Sequence, residues 1–167
     1  NTNNPNGPRT SIRSEDDMDI KPEIYGITGR QGFRVICLRT GQMVGATGYP
    51  AEFTDALKDV DIEDMHTSGV TIVATTQNSI EDLDELVKSR IGHLGDVSVS
   101  DPVDTVAIVG TQLNRAPGLL SEFYSVLEEV GAEVVTVTQA NDYSHSVTIR
   151  TGDLDGVMRE LYQELIL

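Results

Sequence analysis

"NRAPGLLSEFYSVLEEVGAEVVTV" (Asn114–Val137) changes pattern twice, and those changes decide the fold. It opens on a polar corner, continues with one apolar stripe and ends in an alternating run. Leu119, Leu120, Phe123, Val126, Leu127 and Val130 recur at steps of three and four, the spacing of one helix face. Pro117 suits the first helical turn, where its missing N–H would have no partner, and Gly131 is a stop signal. Upstream, Thr105–Val109 reads as a strand. Downstream, "AEVVTVTQ" and "SHSVTIRT" read as strands joined by the turn former "AND". Leu154, Val157, Met158, Leu161 and Leu165 then share a second helical stripe.

The same order occurs earlier in the chain. "GATGYPAEFTDALKDVDIEDMHTSGVTIV" (Gly45–Val73) aligns Glu52, Phe53 and Leu57 with Glu122, Phe123 and Leu127 at an offset of 70. The first copy predicts a strand over Arg34–Arg39 and a helix from Pro50 to about Asp59. It continues with strands near Ile62–His66 and Val70–Thr75 and a helix over Ser79–Ile91. Each copy is a βαββαβ unit whose last strand is short or borrowed from the other. The fold class is α+β: two ferredoxin-like units, antiparallel sheets with helices on one face. The expected division is a connection over residues 1–22, a first unit over 23–100 and a second over 101–167, with terminal strands open to exchange.

The chain has 167 residues and 38% hydrophobic content, enough for one domain or two small ones. A formal charge of −15 argues against nucleic acid and anionic membrane surfaces as partners. That charge fits either a salt-rich cytoplasm or an ordinary acidic domain. Apolar runs are too short to span a bilayer. The single cysteine, Cys37, permits no internal disulfide and fits a cytoplasmic location. The turn-rich opening without an initiator Met suggests a piece of something longer.

A strand, then "NRAPG", then an amphipathic helix ending in "GAEV" resembles the ACT domain, a small-molecule-binding regulatory module of amino-acid metabolism. Two such units after "NTNNPNGPRTSI" are similar, more specifically, to the C-terminal half of the aspartate kinase family, with Arg9 in place of the usual glycine before Thr10. The resemblance implies the amino-acid-sensing, allosteric feedback region of an aspartate kinase. That enzyme phosphorylates L-aspartate with ATP at the head of lysine, threonine and methionine synthesis. The family's kinase domain, with its K-F-G-G opening, is missing from the sequence. No G-x-x-x-x-G-K-[ST] loop occurs, and "GITGRQG" (Gly26–Gly32) has the wrong spacing and precedes a strand. No catalytic residue, metal site or cofactor is expected here. ATP and magnesium are implied only for the kinase domain of the parent chain.

An α-amino acid presents a carboxylate and an ammonium on one carbon. A helix N-terminus offers unpaired N–H groups to the carboxylate, and glycine permits close approach. In the first unit the loop Met43–Pro50 enters a helix next to Gly48, with Glu63 and Asp64 on the following strand as candidate ammonium partners. By resemblance to lysine-sensitive aspartate kinases, Met43, Ala46, Tyr49 and Pro50 line the effector site and Ser68 lies near it. Gly69 stands where those enzymes often carry an acid, which leaves lysine or threonine as the effector. Asn114, Ala116, Pro117 and Gly118 form the equivalent second corner. Each feature also has a plain reading: Pro117-Gly118 as a turn, Glu63 and Asp64 as solvated carboxylates. His66, His93 and His145 lack metal-ligand spacing, and His145 reads as a cap of the second hairpin.

Two other functions remain open at this stage. One is a stand-alone tandem ACT protein that regulates a different enzyme. The other is a structural dimerisation module with closed pockets. A two-fold homodimer is expected in any case, because each unit exposes a sheet edge.

Overall fold

The computed structural model describes residues 22–77 and 80–167. The expected connection therefore lies, apart from Pro22, outside the described residues, as does the predicted helix start at Ser79. The chain runs β1 (Glu23–Arg39), α1 (Tyr49–Ala56), β2 (Ile62–Thr67), β3 (Thr71–Thr76) and α2 (Leu83–Ile91). It continues β4 (Asp96–Val99), β5 (Val103–Thr111), α3 (Pro117–Glu129), β6 (Glu133–Ala140), β7 (Ser144–Arg150) and α4 (Leu154–Leu165).

β1 has 17 residues and serves two sheets. Its second half, Arg34–Arg39, pairs antiparallel with β3 on one side, and Ile36–Arg39 pairs with β4 on the other. Its first half, from Glu23 to Phe33, pairs antiparallel with β5. The two sheet orders are β2-β3-β1-β4 and β6-β7-β5-β1. Each is the order of a ferredoxin-like βαββαβ unit. The fourth strand is the short β4 in the first unit and is borrowed from β1 in the second. "GITGRQG", which the sequence places ahead of the strand Arg34–Arg39, is itself part of β1. Gly29 faces α4 where a Cβ would lie 2.8 Å from the Met158 sulfur, so the helix packs on bare backbone.

The repeat is visible in the packing. Phe53 and Leu57 are buried under the first sheet with Ile36, Leu38 and Ile72. Phe123 and Leu127 are buried under the second with Val106, Ile108 and Ile149. Apolar side chains at matching offsets thus build two separate cores, each between one sheet and its helices. On the opposite sheet faces, a smaller cluster of Phe33, Val35 and Val103 packs with Val73 and Val135. That cluster joins the units. Arg90 adds a polar tie within the first unit, donating to the Asp59 carboxylate and, at 3.1 Å, to the Ala56 carbonyl at the end of α1. The guanidinium beside it holds the Asp59 carboxyl well below the usual carboxylate range.

Candidate functional site

The corner of the first unit is built by the end of β1. Thr40 stops the strand, and its hydroxyl accepts from the Gln42 N–H at 3.3 Å, starting a single 3-10 turn at Gly41–Met43. Met43 turns inward onto the first core, whereas Ala46 is exposed. Gly48 precedes α1 in the left-handed region, φ 97°, which a residue with a Cβ adopts only with strain. Glycine has no side chain with which to cap the helix, and Pro50 has no N–H. The first turn consequently presents the Tyr49 and Ala51 N–H groups, the donor arrangement that receives a carboxylate. Tyr49 leans across the loop and donates its hydroxyl to Gln42 at 3.1 Å.

The β2–β3 turn stands beside this corner, since the Thr40 N–H donates to the Val70 carbonyl at 2.9 Å. Ser68 is in that turn, but its hydroxyl is 2.6 Å from that of Thr71 and also accepts from the Thr71 N–H at 3.2 Å. It shapes the turn. The structure thus brings Met43, Ala46, Gly48, Tyr49, Pro50 and Ser68 to one end of the first sheet.

Glu63 and Asp64 are not at that end within the chain. Thr67 pairs with Ile72, at the corner end, while Asp64 pairs with Thr75 towards the opposite end. Ser68 is five positions beyond Glu63, about 16 Å at the strand rise. Both acids instead line a cleft of about 220 Å³ between the units, with Thr28, Arg30, Thr105 and Ser146. Glu63 is held there by Arg30 through two hydrogen bonds of 2.6 and 2.9 Å.

The second corner has a different character. Asn114 is exposed in a 3-10 turn, Leu113–Arg115, and Ala116 precedes α3 without a side-chain cap. Pro117 and Gly118 occupy the first turn, and Gly118 opens onto a groove of about 600 Å³ between α3 and α4. Glu122, Glu129 and Glu164 line that groove. Glu129 is at the far end of α3, whose first turn carries no acid, whereas the first turn of α1 carries Glu52, so charge does not rank the second corner below the first.

His145 corrects the sequence reading. It does not cap the β6–β7 hairpin: the Asn141 side chain does, accepting from the Tyr143 and Ser144 N–H groups at 2.9 and 2.8 Å. His145 lies within β7, buried against Phe123, with Nε2 2.8 Å from the Tyr124 hydroxyl and Nδ1 without a partner. Burial pushes its pKa down. The folded chain therefore keeps the ring neutral, whereas the unfolded chain takes up a proton below about pH 6.5. Stability should fall as pH drops through that range, and His145→Gln should flatten the slope. Urea midpoints at pH 8 and pH 5.5 check this; an unchanged slope in the variant would remove His145 as its source.

Comparisons with known proteins agree with this architecture. Residues 106–165 match the ACT domain family. The chain is 26% identical over 112 residues to the aspartokinase of Corynebacterium glutamicum, a match covering 66% of this chain and 26% of that protein. The structure of Clostridium acetobutylicum aspartate kinase superposes with a TM-score of 0.78 at 20% identity, over 99% of this chain and 40% of that one. The regulatory subunit of aspartate kinase from Thermus thermophilus gives 0.68 at 16% identity, over 86% and 99%. Escherichia coli aspartokinase III, in a complex with lysine and aspartate, gives 0.71 at 20% identity, over 93% and 35%. The chain thus spans about a quarter of this curated relative, and nearly all of the Thermus thermophilus regulatory subunit.

Proposed function

We propose that this chain, an ACT-domain protein with the two-unit fold of aspartate kinase regulatory regions, senses a free amino acid and passes the signal to an aspartate kinase domain. The observation that carries the reading is the first corner. An uncapped helix start, a left-handed glycine and a neighbouring strand turn meet at the open end of one sheet. On this reading lysine or threonine places its carboxylate on the Tyr49 and Ala51 N–H groups. ATP and magnesium belong to the kinase domain rather than to this chain, and the site of action is the cytoplasm.

The ammonium partner comes from a second copy. Among the described residues β2 is paired on one side, leaving a sheet edge suited to association. Two β2 edges paired about a two-fold axis run antiparallel, so the start of one strand lies beside the end of the other. Glu63 and Asp64 of one copy then come alongside Ser68 and the corner of its mate. A homodimer would complete a site that is half-formed in the single chain.

Calorimetric titration with L-lysine and L-threonine tests this. One of the two should bind to dimer, and Gly48→Val should weaken it at least tenfold, about 1.4 kcal/mol, by forcing the turn out of its left-handed conformation. If one binds and Gly48→Val leaves its affinity unchanged, the corner is the wrong site. Gly118→Val then tests the second corner.

A further inference from the structure

The junction between the units contains a polar clasp centred on Arg30. Arg30 lies on the half of β1 that belongs to the second sheet, opposite Thr105. Its guanidinium reaches across to the first unit. Nη1 and Nη2 donate to the two Glu63 oxygens at 2.6 and 2.9 Å, and Nη2 also donates to Gln77 Oε1 at 2.8 Å. Gln77 closes the loop by donating from Nε2 to the Gln31 carbonyl at 2.9 Å. The guanidinium also sits 4.9 Å from the Phe33 ring centroid, in the inter-unit apolar cluster. All of these contacts surround a break in β1. Pairing with β5 shifts register between Arg30 and Phe33, and Gly32 within that bulge has φ 81°. A bulge bends a strand and increases its twist. The clasp therefore grips the shared strand at the point where it turns from one sheet into the other.

We propose that Arg30 is a positioning residue that couples effector binding to the angle between the two units, by competing with the effector's ammonium for Glu63. The proposal rests on the reading that Glu63 of one copy meets the ligand at its mate's corner. A carboxylate gripped by two guanidinium N–H groups has a fixed direction and much of its acceptor capacity in use. An ammonium that takes Glu63 draws it off Arg30. The Gln31–Gly32 bulge then loses the side chain that grips it, while His66 on the Thr138 carbonyl and the apolar cluster still join the units, and β1 transmits the change because both sheets hydrogen-bond to it. Each half of β1 is held by its own ladder, so rotation concentrates at the bulge.

This competition has a sign that a merely structural ion pair would not give. Removing Arg30 frees Glu63 for the ligand, so Arg30→Ala should bind the effector more tightly, by about two- to fivefold for a solvent-accessible pair of this kind. Arg30→Gln should do the same, guarding against local collapse in the alanine variant. Arg30→Lys should fall between these and the wild type, since an ammonium cannot make the bidentate contact. Glu63→Gln should weaken binding at least tenfold. The probes are L-lysine and L-threonine, titrated by calorimetry into the dimer. Hydrogen exchange of residues 30–34 is followed in parallel. Ligand should accelerate it in the wild type and leave it unchanged in Arg30→Ala, where the clasp is already open.

If an amino acid binds the wild type but both Arg30→Ala and Arg30→Gln bind it no more tightly, Arg30 does not compete and the proposal falls alone. Retained affinity in Glu63→Gln would overturn it in the same way. If neither amino acid binds the wild type, the reading of the corner fails and carries this proposal with it.

Discussion

Phe123→Ala is expected to cost about 3–5 kcal/mol of stability, the range for emptying a fully buried aromatic site. Phe123 has 0% exposure and lies under the second sheet with Val126, Leu127 and Val147. Its ring meets Tyr124 edge-on at a centroid distance of 5.4 Å and His145 at 5.9 Å, so truncation leaves two further rings without a partner surface. Neither neighbour is free to collapse into the gap, because each is tied to the other by the Tyr124–His145 hydrogen bond. Urea unfolding followed by circular dichroism measures the loss. A loss below about 1.5 kcal/mol would mean that the second core repacks easily. Phe53→Ala, the matching change 70 residues earlier, should cost a similar amount in the other core. Two separate transitions in either variant would show that the units unfold one at a time.

Gly110→Val is expected to cost at least about 3 kcal/mol, the upper end of what overpacking costs. A Cβ at Gly110 would stand 2.1 Å from the Glu23 carbonyl oxygen and 2.9 Å from Leu113 Cδ2. The first of these is backbone of the opposing strand and cannot rotate away. Gly110 pairs with Ile24, so the first residues of β1 would have to leave β5. Ile24, buried in the second core, would go with them. Gly69→Ala is the control, because a Cβ there meets nothing within 4 Å. Thermal unfolding of both variants decides the matter. A Gly110→Val midpoint within a few degrees of the control would show that the strands separate there at little cost.

Local patterns were legible where they reported local packing. The stripe from Leu119 to Val130 and its partner around Phe53 and Leu57 gave two helices and two cores, because helical spacing follows directly from which side chains share a face. That β1 starts as early as Glu23, through "GITGRQG", was not legible locally, because the space at Gly29 is used by Met158, over a hundred residues later. The last strand of the first unit was expected to be short, and β4, at four residues, is too short to show a period of its own. The site was half legible. Gly48, Pro50 and Tyr49 are neighbours in sequence and meet in space, but the position of Glu63 depends on the direction and register of a strand ladder. His145 was placed on the turn because its burial arises from α3, which the hairpin sequence does not mention.

The double use of β1 has a consequence for how the chain is made. Glu23 pairs with Thr111, 88 positions later. At 5–20 residues per second, the borrowed strand waits roughly 4–18 s after synthesis for the edge that receives it. Throughout that time its backbone donors and acceptors on that side are available to any other strand, including the same segment of a chain on a neighbouring ribosome. The first unit, by contrast, has all four of its strands once Val99 has emerged. Folding should therefore finish on the second unit only after β5 appears, and a nascent chain stalled before Val103 should be the species most prone to aggregate.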